Sequence, residues 1–216
     1  MRFNSINIYS AYRGSEKETK DATGMIRESC EGVCEMYIRL LHYYDNANCK
    51  SLNIACDESC EAPFLEHLME GFPVVHVPFN LAEYRNMNPA VKGEFWLEII
   101  LKAIDYVGRQ WDWDLKLFHE IGEQLREKNF QDVWRYRKLV KSLTGKWSAG
   151  ILVEQDVEAA KIYLQVLKER KEEKRVLLKE TASSAWVYGQ WLGKITWIDD
   201  DNLEISCAAR KEEISI

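Results

Sequence analysis

No stretch of the chain approaches the ~18 consecutive apolar residues of a membrane helix. The opening, MRFNSINIYS, lacks the basic-then-apolar layout of a secretory leader, so the expected location is cytoplasmic. Four prolines fall between Pro63 and Pro89, and no Gly/Ser linker, repeat or low-complexity tract breaks the chain. The expectation is therefore a single domain over 1–216, with two closely packed lobes, 1–87 and 88–216, as the alternative. Phosphate cradles of the G-x-x-x-x-G-K-S or G-x-G-x-x-G kind are missing, which disfavours the familiar nucleotide-binding enzymes. The four histidines, His42, His67, His76 and His119, share no metal-ligand spacing, and none stands beside a Ser or Cys in a nucleophile motif. No catalytic residue and no cofactor is assigned.

What the chain does contain is apolar periodicity. In 216 residues of 46% hydrophobic composition there is material for a substantial core. Asn88-Pro89 signals a helix start, since Asn caps a free N–H and Pro tolerates the first helical position. Trp96, Ile100, Ile104, Val107 and Trp111 then form one helical stripe. Asp112 or Asp114 can cap a second helix burying Leu115, Phe118, Ile121 and Leu125. A third is read from Phe130, Val133, Trp134, Tyr136, Val140 and Leu143, closing at Thr144-Gly145. The predicted class is α+β: a central three-helix layer over about 88–145, flanked by an N-terminal mixed β/α portion and a C-terminal antiparallel β-meander.

In the N-terminal portion Ile6, Ile8, Ser10 and Tyr12 alternate as in a half-buried strand, and residues 14–24 read as an exposed loop. Ile26, Cys30, Val33 and Tyr37 have helical spacing, yet 35–44 is rich in β-formers, so a helix over 25–34 and a strand over 35–44 are expected. A strand over Ser51–Cys56, a short helix over 62–70 and a strand over 74–79 follow. In the last third, 191–198 and 203–207 flank Asp199-Asp200-Asp201-Asn202 as a hairpin. Ile151–Gln155, Lys161–Leu167 and Arg175–Glu180 supply its neighbours. A helix over 156–181 is the rival, but the run KERKEEK at 168–174 would leave two turns with nothing to bury. The last eight residues, from Ala209, read as a tail.

Six cysteines stand at Cys30, Cys34, Cys49, Cys56, Cys60 and Cys207. Two C-x-x-x-C pairs could offer four thiolates to zinc. Three intervening residues suit one face of a helix better than a zinc knuckle, so packed thiols are expected and no metal site is assigned. Asp57-Glu58 with Glu61 reads as a solvated loop, Asp112 with Asp114 as a cap, and 199–201 as a turn.

Charge is uneven. Residues 14–70 carry twelve acids against five bases, and 129–180 twelve bases against eight acids. A formal net charge of −6 argues against nonspecific nucleic-acid binding, which needs Lys and Arg to neutralise phosphates. An acidic pole does suit docking onto a basic protein. Of eight tryptophans, Trp96, Trp134, Trp191 and Trp197 fall on buried faces, whereas Trp111, Trp113, Trp147 and Trp186 lie at element ends, where an aromatic can anchor a partner. The expected function is a non-catalytic, cytoplasmic protein-binding module of the immunity or inhibitor kind, neutralising a toxin or enzyme partner. Its surface would comprise Glu58, Glu61, Glu66, Trp111 and Trp113, with no membrane and no nucleic acid involved. The alternative is a small hydrolase or transferase with a site assembled from dispersed Asp, Glu, His and Cys.

Overall fold

A computed structural model describes the chain apart from residues 12–15, 47 and 67–68 and the side chains of 16–21. The chain divides into two compact units, Met1–Phe130 and Gln131–Ile216. Among the described residues no helix is long and apolar enough to cross a membrane.

The first unit begins with β1 (Arg2–Phe3) and β2 (Ser5–Ser10), then the long helix α1 (Glu16–Leu41). It continues through β3 (Tyr44–Asp45), β4 (Ser51–Asp57), β5 (Phe64–Glu66) and β6 (Val74–Pro78) to α2 (Leu81–Arg85), α3 (Lys92–Trp111) and α4 (Leu115–Glu127). β1 pairs with β3. The main sheet has the order β2-β4-β6-β5, with the first three strands parallel and β5 antiparallel at the edge. Strand alternation gives this sheet two unlike faces. Ile6, Ile8, Leu52, Ile54, Cys56, Val75 and Val77 are buried on one; α1 packs on β2 and α3 on β6, and α1 also meets α3 and α4. The other face carries Ser5, Asn7, Tyr9, Ser51, Asn53, Asp57 and His76. There Ser5 Oγ donates to Ser51 Oγ at 2.7 Å, and Asn7 Nδ2 to Asn53 Oδ1 at 3.1 Å. Parallel sheets usually bury both faces in apolar contact; this one presents a hydrogen-bonded polar face instead.

Several expectations are corrected here. Residues 35–41 continue α1 rather than forming a strand: Ile26, Cys30, Val33, Tyr37 and Leu41 are all buried along one helical stripe, and packing on the sheet outweighs local β propensity. The loop expected over 14–24 is helical from Glu16, with Ala22 fully buried; Gly14 and Ser15, like Tyr12 of the expected strand, lie outside the described residues. In place of a helix over 62–70, Phe64–Glu66 is the edge strand β5, a position where the preceding Pro63 is tolerated; His67 and Leu68 are outside the described residues. α3 and α4 follow the expected stripes: Asn88 caps the 3₁₀ turn leading into α3, and Asp114 caps α4. The third helix of the layer does not form. Asn129 and Phe130 adopt left-handed backbone (φ 50° and 52°), which ends the helical run. Residues 132–141 are a strand instead.

The second unit is built from β7 (Asp132–Lys141), β8 (Trp147–Gln155), β9 (Ala159–Lys168), β10 (Lys171–Ala182), α5 (Ala185–Tyr188), β11 (Lys194–Trp197), β12 (Asn202–Ser206) and β13 (Lys211–Ser215). β7 to β10 form an antiparallel sheet in the order β10-β9-β8-β7, and β11-β12-β13 a second. Ala149, Ile151, Val153, Ile162, Leu164 and Val166 of the first share a core with Ile195, Trp197, Leu203 and Ile205 of the second. The charged run at 168–174 is the β9–β10 hairpin, whose Glu169 and Arg170 take the two positive φ angles of a tight connection. The segment read as a tail is β13, paired with β12, because Ile214 and Ile216 add apolar surface to that core. The α+β class therefore holds for the chain as a whole, while the three-helix layer is replaced by two helices and a strand.

Candidate functional site

At the carboxyl ends of β4 and β6 the first unit opens into a cleft of about 640 Å³, lined by Ala11, Asp57, Glu58, Ser59, Phe64, Glu66 and His76. Open α/β sheets place their ligand sites at this end of the strands. Tyr9, Ala55, His76 and Phe64 occupy one row across the sheet. Asp57 and Glu66 lie two residues along their strands from that row, on the same face.

His76 is the centre of the arrangement, at 8% exposure. Its Nδ1 is 2.7 Å from Asp57 Oδ2, its Nε2 is 3.1 Å from Glu66 Oε2, and Phe64 stacks on the ring at 4.2 Å between centroids. Asp57 Oδ1 accepts from the Ser59 backbone N–H at 2.8 Å and from Ser59 Oγ at 2.6 Å. The Ser59 hydroxyl is the main reason the Asp57 carboxyl titrates below the ordinary Asp range; the Ser59 amide and His76 add to it, and burial opposes it. Burial raises Tyr9, with the Glu66 charge adding to it. Glu58 Oε1 accepts from the Leu81 N–H at the start of α2, at 3.0 Å, next to the Asn80 cap.

The chemistry open to this cluster is limited by its connectivity. A nucleophile triad needs a hydroxyl or thiol on the imidazole nitrogen that faces away from the carboxylate. Here that nitrogen meets Glu66, and the adjacent hydroxyl, Ser59 Oγ, donates to Asp57 instead. Cys60 Sγ contacts the Asp57 backbone oxygen at 3.5 Å; burial, then the Asp57 charge, raises its thiol. Among the described residues no three His, Cys, Asp or Glu side chains are grouped so as to hold a metal ion. Cys30, Cys34, Cys49 and Cys56 are buried, as expected of packed thiols.

Of the residues singled out from sequence, Glu58 and Glu66 enter the cleft, and Glu61 is exposed on the connection between β4 and β5. Trp111 and Trp113 do not join them. Trp113 is 7% exposed, inside a cluster with Phe3, Tyr44 and Phe118. Phe3 lies just ahead of β2, so this cluster is at the amino end of a strand whose other end, six residues or ~20 Å away, leads to the cleft. Asp57 was read as part of a solvated loop, but it ends β4 and is buried; Phe64 and His76 were not singled out. A histidine inside the apolar run Val74-Val75-His76-Val77, at a strand end, is the signal that could have pointed to them. Comparison with known proteins finds no family model, no curated protein and no solved structure that matches this chain.

Proposed function

We propose that the chain is a non-catalytic protein-binding module of the immunity or inhibitor kind, and that the acidic cleft of its first unit receives a basic group of a toxin or enzyme partner. One observation carries this reading: Asp57, Glu58 and Glu66 line one cleft, and no Lys or Arg is among its described lining residues. The carboxylates are held by Ser59, Leu81 N–H and His76, so the negative surface is set before any partner arrives. Such preorganisation lowers the ordering cost of association, and complementary charge raises the encounter rate. A cytoplasmic location belongs to the same reading, since all six cysteines are free thiols and a reducing compartment keeps them so.

The test is affinity capture from the source cells with the wild-type chain and with a Glu58→Gln/Glu66→Gln variant, at low and high salt. A stoichiometric basic partner retained by the wild type and lost from the variant or at high salt supports the proposal. Capture indifferent to both changes, or no stoichiometric partner, refutes it.

The enzyme reading rests on a different observation, the 2.7 Å Asp57–His76 contact at the carboxyl ends of parallel strands. The Glu66 side chain is 48% exposed, so a substrate displacing it would meet a carboxylate-oriented imidazole. Hydrolysis or group transfer abolished by His76→Asn, without any protein partner, would favour that reading.

A further inference from the structure

The second unit contains a cavity of about 200 Å³ where the β7–β8 ladder is interrupted. Tyr136 pairs with Ile151, and the next register pair is Val140 with Ala149. Residues 137–139 therefore bulge opposite the single residue Gly150. Two close approaches hold the bulge open. A Cβ on Gly150 would lie 2.8 Å from Leu139 Cδ2, so that side chain would have to shift to admit one, and Trp197 Nε1 donates to Val140 O at 2.9 Å. Arg137 sits at φ 63°, a left-handed conformation that a non-glycine residue keeps only when its surroundings impose it.

The bulge brings Arg137 and Lys138 to the cavity, and Lys194 reaches it from β11. Tyr136, Ile151 and Ile195 supply apolar wall, and no carboxylate lines the space. Three other cations of this unit are matched with acids, Arg175 with Glu154 and Glu172, Arg210 with Glu212 and Lys211 with Glu204, while Lys146 and Lys168 share the Trp147 ring. Among the described residues Arg137 has only the Tyr136 ring, 4.9 Å from its guanidinium carbon, and neither Lys138 nor Lys194 has an ion-pair partner. Bulges are enriched where a strand re-aims side chains for function. Arg137, Lys138 and Lys194 are all exposed, so an anion entering the cavity would meet three cations beside the apolar wall.

We propose that this cavity is a binding site for a small organic anion, a carboxylate on an apolar body, with Arg137, Lys138 and Lys194 taking the charged end and Tyr136, Ile151 and Ile195 the apolar end. The volume lies below the roughly 300 Å³ at which drug-sized sites begin, so the occupant is no larger than a single substituted ring. This inference does not depend on the acidic cleft of the first unit.

Amide NMR titrations of the full chain with benzoate, and with its neutral isostere benzamide, test it. Saturable benzoate shifts at Arg137, Gly150 and Gly193, with benzamide at least about tenfold weaker, are expected. Arg137→Gly removes a cation while suiting the positive φ, and should weaken benzoate about tenfold. Lys194→Gln alters an exposed strand position and should weaken it several-fold, so it carries the test if the bulge variant fails to fold. No saturable shift, an equal response to benzamide, or benzoate affinity unchanged in the variants would overturn the assignment.

Discussion

Replacing Asp57 with Asn probes the hydrogen-bond network that shapes the cleft. The carboxylate accepts three bonds, from Ser59 N–H at 2.8 Å, Ser59 Oγ at 2.6 Å and His76 Nδ1 at 2.7 Å. Its side chain is 12% exposed, so solvent screens these little. In the variant one amide oxygen keeps the two Ser59 bonds as neutral ones, at a loss of roughly 1 kcal/mol each, while the amide NH₂ faces His76 where an acceptor stood, costing roughly 1–3 kcal/mol. An amide is cheaper to bury than a carboxylate, which offsets part of this. The net expectation is a destabilisation of about 2–3 kcal/mol at pH 7.

The sign of the pH dependence follows from the lowered carboxyl. An acid that titrates lower when folded contributes stability that is complete above its unfolded value near 4 and is lost as pH falls through the folded value. The gap between wild type and Asp57→Asn should therefore be full at pH 7 and close progressively below about pH 4. Urea titrations read through the amide NMR signals of β4 and β6 confine the measurement to the first unit. That confinement matters because Glu172, Asp199 and Asp200, also lowered by their hydrogen bonds, belong to the second unit. Equal stability of the two proteins at pH 7, or a gap that persists unchanged at pH 3, would refute the network as drawn.

Thiol reactivity should divide the cysteines. Cys60 and Cys207 are half-buried and should label with iodoacetamide at pH 8, while Cys30, Cys34, Cys49 and Cys56 should stay protected until the chain is denatured. Burial pushes Cys49 up to about 12 and raises Cys56; Cys34 is raised first by its hydrogen bond with Cys30 and then by burial. Mass spectrometry of the peptides checks this, and early labelling of any of the four would contradict their packing. Gly193→Ala would place a Cβ 2.3 Å from the Ser206 backbone oxygen, an overlap expected to cost about 1–3 kcal/mol, whereas Gly189→Ala meets nothing within 4 Å and should be near neutral. Chemical denaturation of the two variants side by side decides it; equal effects would mean the β11–β12 approach is misplaced.

The parts of the fold legible in sequence are those where one period had no competitor. The stripes of α3 and α4 place Trp96, Ile100, Ile104, Phe118 and Leu125 at or near zero exposure, and the meander from β8 to β10 follows its alternation. Misreadings came where two periods fitted the same residues. Val133, Trp134, Tyr136 and Val140 satisfy a helical stripe, but Trp134 and Tyr136 also alternate with Val133, Arg135 and Arg137. The bulge at 137–139 interrupts that alternation before Val140, so the strand period is visible only over its first half. For 35–41 the error ran the other way, since β-branched and aromatic content suggested a strand where the sheet's apolar face demanded a helix to cover it. Long-range burial settles such ties, and it is not a local property of the chain.

The cleft was only half legible, for a reason that lies in strand register. Asp57, Glu66 and His76 are separated by nine and ten residues on three strands, and nothing in their spacing says that the strands are neighbours. The parallel ladder sets Ala55 beside His76 and Asp57 beside Pro78, bringing the Asp57 carboxylate to one ring nitrogen. Antiparallel pairing sets Phe64 beside His76 and Glu66 beside Val74, bringing a second carboxylate to the other. Sliding β5 by one residue would turn both Phe64 and Glu66 to the opposite, apolar face. A three-residue edge strand has little ladder of its own to prevent that slip. The ring stack and the Glu66–His76 contact are thus the interactions that distinguish the observed register from its neighbours. The residues that give the cleft its charge also hold the strand that delivers them.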